Sequence, residues 1–167
     1  MENTIRTYKT LKHLEENKPE LVTESVTVYN KDEFDGVVDE PKKAVYIINH
    51  IFQLNRENVE NVVILALDGA MQISGAFKLS QGTLNQSLVH PREVFQRLLL
   101  VNSSCFMIAH NHPSGVLAVS EQDREVTKRL KEAGELMGIS LIDHLIITEN
   151  SYTSAMKLNN KSQINPA

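Results

Sequence analysis

The stretch CFMIAHNHPSG, residues 105–115, decides how the rest of the chain is read. Its first half is a short unbroken apolar run, the pattern of a strand buried on both faces. Its second half sets two histidines two residues apart and then turns through Pro-Ser-Gly. Histidines spaced i and i+2 do not share a helix face, but at the end of a strand they point the same way and converge. A lone buried histidine is usually a core residue with its hydrogen bonds satisfied. A His-x-His pair at a strand end raises the question of a metal.

On either side of this strand the sequence alternates helix and strand. ESVTVY (24–29) alternates and is β-branched, which predicts a strand. After Pro41 the apolar residues fall at Ala44, Ile47, Ile48, Ile51 and Phe52, a helical stripe behind a proline suited to a helix start. VVILAL (62–67) reads as a second strand buried on both faces. The turn Asp68-Gly69 and then MQISGAFKL make it one arm of a hairpin. SQGTLNQSLV (80–89) is a polar connection. Pro91 opens a helix with the stripe Val94, Phe95, Leu98 and Leu99. A further helix spans about Glu121 to Met137, with the stripe Val126, Leu130, Ala133 and Met137, and Gly138 is placed to end it. SLIDHLIIT (140–148) is another strand, and SYTSA an edge strand. Residues 1–17 are polar with scattered apolar positions, which predicts a peripheral helix or arm. The organisation expected is an N-terminal helical arm (1–23), one α/β domain with a mixed β-sheet flanked by helices (24–158), and a polar tail (159–167).

Composition narrows the function classes. A chain of 167 residues with 41% hydrophobic residues suffices for one domain with a real core. No apolar run approaches the ~18 residues that span a membrane, and the start MENTIRTYKT lacks the order of a secretory signal. A single cysteine, Cys105, allows no internal disulfide and fits a reducing cytoplasm. Its place in an apolar strand reads as a small core residue, not a nucleophile. The net charge of −4 gives no basic footprint for nucleic acid, so direct DNA binding is not expected.

After His112 an aspartate with a helical context is Asp123, in SEQD (120–123) where a helix begins. Two imidazoles and one carboxylate suit Zn2+ and leave a fourth position open, the arrangement of a catalytic site. The same residues have a purely local reading. Ser120 suits an N-cap and Asp123 the third helical position, where an acid favours the helix dipole. The two readings coexist, because a capping hydroxyl that accepts a backbone N–H can still donate its own proton.

His110-x-His112-Pro113 followed by Ser120-x-x-Asp123 resembles the signature of the JAMM (JAB1/MPN) metalloproteases. VVILALD, GTLNQSLVHPREVFQRLL, AHNHPSG and LIDHLIIT narrow the resemblance to the RadC-like branch, over roughly residues 24 to 157. The resemblance implies a cytidine-deaminase-like α/β fold with one zinc at a strand end, held by His110, His112 and Asp123. It also implies an upstream glutamate as general base, and Glu57 and Glu60 are the candidates. Glu60 directly precedes NVVILALD, where the family places that residue. Ser120 is then the oxyanion donor, and the substrate a peptide or protein with a peptide or isopeptide bond. Similar RadC-like proteins carry an N-terminal helix-hairpin-helix region that is not read here, which implies a short form. The loop VLAV (116–119) is more apolar than the family's usual version. Two other classes are weighed beside the hydrolase: a DNA-repair accessory, and an interaction module on the same fold without catalysis. The HNH tripeptide is not read as an HNH nuclease, whose residues are scattered over a ββα unit. His144, after Asp143 in mid-strand, is assigned a supporting part without a defined role. His90 is expected to cap a helix or line the cleft, and His13 and His50 to be peripheral.

Overall fold

The computed structural model describes residues 3–82 and 89–157. In chain order these form β1 (Thr4–Lys12), β2 (Pro19–Val28), α1 (Pro41–Phe52), a 3-10 turn (Leu54–Arg56), β3 (Asn61–Leu67), β4 (Ile73–Gln81), α2 (Pro91–Leu100), β5 (Cys105–Asn111), α3 (Glu121–Met137), β6 (Ser140–Ile147) and β7 (Tyr152–Ser154). The strands make one mixed sheet in the order β2-β1-β4-β3-β5-β6-β7. β3 pairs antiparallel with β4 and β5, and β5 pairs parallel with β6.

The unbroken apolar runs become the centre of the sheet. Every residue of β3 and of β5 is buried, because helices cover both faces. α1 lays Ala44, Ile47 and Ile48 against one face, with Leu65 and Met107 beneath. α2 and α3 cover the other with Val94, Leu98, Val126 and Leu130, over Ile64 and Phe106. Each large apolar side chain so buried contributes about 1.5–3 kcal/mol relative to exposure. The helix ends follow the signals in the sequence: Pro41 and Pro91 stand in first turns, and Gly138 takes the left-handed conformation at φ 70°.

The N-terminal helical arm expected over residues 1–23 is not formed. From Thr4 to Val28 the chain is a β-hairpin, with nine paired positions from Thr4↔Val28 to Lys12↔Pro19. The two-residue period decides this. Ile5 and Thr7 are buried at 4% and 3% exposure while Arg6 between them is exposed, and β-branched residues prefer the pleated surface. Two stripe positions are also corrected. Leu99 and Met137 are exposed. In α3 the buried row runs Val126, Leu130, Gly134, and a Cβ on Gly134 would meet the Ile139 carbonyl oxygen at 2.5 Å. The chain entering β6 therefore passes where only glycine fits. The expected connection over residues 80–89 falls largely on 83–88, outside the described residues, as does the expected tail over 159–167.

The topology brings distant residues together. β5 and β6 are parallel and joined through α3, so α3 must begin near the C-terminal end of β5. The intervening loop turns at Gly115, with φ 80°. The carboxyl end of a parallel strand facing a helix N-terminus is where such sheets hold ligands.

Candidate metal centre

His110 is the penultimate residue of β5, opposite Val62 on β3 and Ile146 on β6. His112 follows the strand, and its backbone N–H donates to the Ile147 carbonyl at 2.9 Å, prolonging the ladder past β5. Asp123 lies in the first turn of α3. One donor atom from each of the three lies within 4.8 Å of the others. His110 Nε2 is 3.0 Å from His112 Nε2 and 3.2 Å from Asp123 Oδ1, and His112 Nε2 is 3.9 Å from Asp123 Oδ2. Ligands about 2.0–2.1 Å from a tetrahedral ion stand about 3.3 Å apart, so these separations fit a metal.

The donor set points the same way. His112 Nδ1 lies 2.8 Å from the Val116 carbonyl, which can only accept, so the ring proton sits on Nδ1 and Nε2 carries a lone pair. Asp123 turns one carboxylate oxygen, Oδ2, to the Ser120 N–H at 2.8 Å and the other toward His110. Burial would raise the Asp123 carboxyl. The hydrogen bond and charge of His110, with the Ser120 backbone and hydroxyl, outweigh burial and hold it well below the ordinary carboxylate range. A carboxylate and imidazole lone pairs meeting at this distance repel one another unless positive charge lies between them; the His110 charge that lowers Asp123 is one such charge, and a metal ion would be another.

Ser120 is the N-cap of α3. Its hydroxyl accepts from the Asp123 N–H at 3.1 Å, completing a capping box with the reciprocal bond. Ser120 also lines a cleft of about 350 Å³ with Glu60, His112, Ser114, Gln122 and Asp123. Glu60 immediately precedes β3, and the antiparallel register carries it to the end of β5 where the histidines stand. Glu57 ends the 3-10 turn and lines a separate cleft on the other side of the 112–115 turn, with Arg56, Asn58 and Glu149.

Two residues that the sequence reading did not use complete the surroundings. Asn111 takes the Asn61 N–H on its Oδ1 at 2.7 Å and donates from Nδ2 to the carbonyls of Val59 at 3.0 Å and Glu57 at 3.2 Å. It thereby clamps the backbone on both sides of Glu60. Thr127 stands one helical turn after Asp123, and its hydroxyl lies 2.7 Å from Nδ1 of the buried His144. His144 Nε2 in turn is 2.9 Å from His110 Nδ1. The i, i+4 spacing of Asp123 and Thr127 on an amphipathic helix was the available signal for Thr127. For Asn111 it was the position between two converging histidines.

The other candidates have plain surroundings. Cys105 is buried with its thiol beside Met71 and the Asp68 carbonyl, and burial pushes its pKa up, as suits a core thiol. His90 caps α2, accepting from the Arg92 N–H. His13 accepts the Glu16 N–H, and His50 contacts the Val28 carbonyl. No helix among the described residues is long and apolar enough to cross a membrane.

Several curated proteins are similar to this chain in sequence. A UPF0758 protein of Trichlorobacter lovleyi is 42% identical over 114 residues, 68% of this chain and 49% of that protein. A UPF0758 protein of Thermotoga maritima is 38% identical over 117 residues, 70% of this chain and 51% of that one. A third, from Finegoldia magna, is 45% identical over 100 residues, 60% of this chain and 45% of its own. The chain spans about half the length of the curated relatives it matches. Residues 38–161 match the family model described as the RadC-like JAB domain. A mixed sheet between helices, with two histidines and an aspartate gathered at one strand end, is thus a JAB-like fold, and the chain belongs to the RadC-like JAB domain family.

Proposed function

We propose that this chain is a zinc-dependent hydrolase that cleaves an amide bond, peptide or isopeptide, in a peptide or protein substrate. The observation that carries the reading is the convergence of His110, His112 and Asp123 beside a cleft that also holds Glu60 and Ser120. His110 Nε2, His112 Nε2 and Asp123 Oδ1 would hold the ion. Zinc at such a site supplies a Lewis acid and lowers the pKa of a water it binds toward ~7. Three protein ligands leave a position open, which distinguishes a catalytic site from a closed structural one. Glu60 accepts the proton of the attacking water and passes it to the leaving amine. Ser120, with its lone pair committed to the Asp123 N–H, directs its proton to the oxyanion that develops on the carbonyl. The Asn111 clamp holds Glu60 for this work by fixing the peptide groups on either side of it.

The test is metal content and peptide cleavage on the same purified chain. About one zinc per chain is expected, with cleavage of a peptide library that vanishes in Glu60→Gln while zinc is retained. Cleavage undiminished in Glu60→Gln would remove Glu60 from the mechanism. A folded, zinc-loaded chain without hydrolysis of peptide or isopeptide bonds would overturn the reading.

A further inference from the structure

The ligand His110 is tied to two residues that touch no substrate-facing surface. His144 is wholly buried, two positions away on the neighbouring strand, since Ile108 is the β5 residue in register with it. Thr127 is buried at 3% exposure on α3. Their atoms form one line: Asp123 carbonyl, Thr127 Oγ1, His144 Nδ1, His144 Nε2, His110 Nδ1, with gaps of 2.6, 2.7 and 2.9 Å.

A hydroxyl has one proton, and a carbonyl can only accept. At 2.6 Å the Thr127 proton goes to the Asp123 carbonyl. Toward His144 the Thr127 oxygen is therefore an acceptor, and His144 carries its proton on Nδ1. His144 is wholly enclosed and neither ring nitrogen is bonded to a carboxylate, so the ring is a neutral tautomer and its Nε2 is a lone pair. Its hydrogen-bond partner there, among the described residues, is His110 Nδ1, which must donate. His110 then offers Nε2, the atom aimed at His112 and Asp123.

We propose that Thr127 and His144 are positioning residues: their relay fixes His110 as the Nδ1–H tautomer and turns Nε2 into the metal donor. The proposal rests on the metal-centre reading above. The relay begins at the backbone of Asp123, so the helix that carries one ligand also sets the tautomer of another. His112 is set separately, by the Val116 carbonyl. Partners of this kind commonly change metal affinity by about 10–100-fold.

The experiment uses the full chain and Zn2+ itself, with affinity read by competition against a chelating dye. Thr127→Val keeps the shape and removes the hydroxyl. It is expected to weaken zinc about 10–100-fold, and Thr127→Ser to restore affinity to within about threefold of the original chain. Imidazole 15N spectra of the zinc-loaded original chain need no variant and report the tautomer directly, with the proton between the rings on His110 Nδ1. Unchanged zinc affinity in Thr127→Val, or a proton on His144 Nε2, overturns the relay and leaves the metal centre standing. An original chain that takes no zinc overturns the metal centre and the relay with it.

Discussion

Asn111 stands between the two candidate ligands, yet it faces away from them into the loop that ends at Glu60. Its side chain satisfies one buried donor and two carbonyls. A buried polar group left unpaired costs about 1–3 kcal/mol. Asn111→Ala should therefore lower stability by at least ~2 kcal/mol in urea unfolding while zinc content stays near one per chain. Full stability would mean that water replaces the amide. His112→Ala should behave in the opposite way, with stability nearly kept but metal lost, since two remaining ligands rarely hold zinc tightly. Stoichiometric zinc by mass spectrometry in that variant would exclude His112 from the ligand set. The two histidines were legible from spacing because chain geometry fixes what i, i+2 at a strand end can do, and Asp123 from its place at a helix start together with the resemblance to a known signature. Asn111, Thr127 and His144 were not legible in these roles. Their partners lie 50, 17 and 34 residues away in the chain, and only the folded sheet brings them within reach.

Among the elements, α3 carries the most function per residue. It begins at the site and ends in a glycine, and both ends were readable from Ser120 and Gly138. Ser120→Ala removes the cap and should cost ~1 kcal/mol. If the hydroxyl also serves the oxyanion, turnover falls by about 10²-fold with zinc retained. Normal turnover with the same stability loss would leave Ser120 as a cap alone. Gly134 tests the other end. A methyl there meets the Ile139 carbonyl, so Gly134→Ala should push α3 away from β6 and cost about 1–3 kcal/mol, and its Tm should fall well below that of an Ala substitution at exposed Leu136. β1 escaped the sequence reading for the converse reason, and of β2 only the half that contains ESVTV was read as a strand. They lie at the edge of the sheet, with only Ile5 and Thr7 of β1 buried, so the apolar period is two residues long and polar residues dominate it. Burial on both faces made β3 and β5 plain, and burial of one narrow row left β1 and the first half of β2 obscure.

The whole molecule couples its stability to pH through the same buried cluster. His144 is enclosed between β5, β6 and α3, facing His110, His112 and Asp123, and burial lowers its pKa from 6.5 to about 3. Between those values the unfolded chain holds a proton on this residue that the folded chain does not. Stability therefore rises with pH across that window: its share is complete above about pH 6.5 and is lost as pH falls toward 3. Asp123 acts in the same sense at lower pH. Its folded carboxyl lies below the unfolded value, so its share is present at neutral pH and lost as acid protonates it. Asp143 has the opposite sign, because burial raises its carboxyl and the folded chain holds that proton to higher pH. The Asp123 window lies below its ordinary value near 4, whereas that of His144 opens near 6.5, so of these two losses on acidification the first belongs to the histidine. The metal-free chain, kept with a chelator so that zinc binding does not add its own pH dependence, should show its urea midpoint falling steadily from pH 7 to pH 4.5. His144→Gln should start lower at pH 7 and fall less steeply over the same range. A flat profile in the original chain, or the same slope in His144→Gln, would show that a proton enters this cluster without opening the fold.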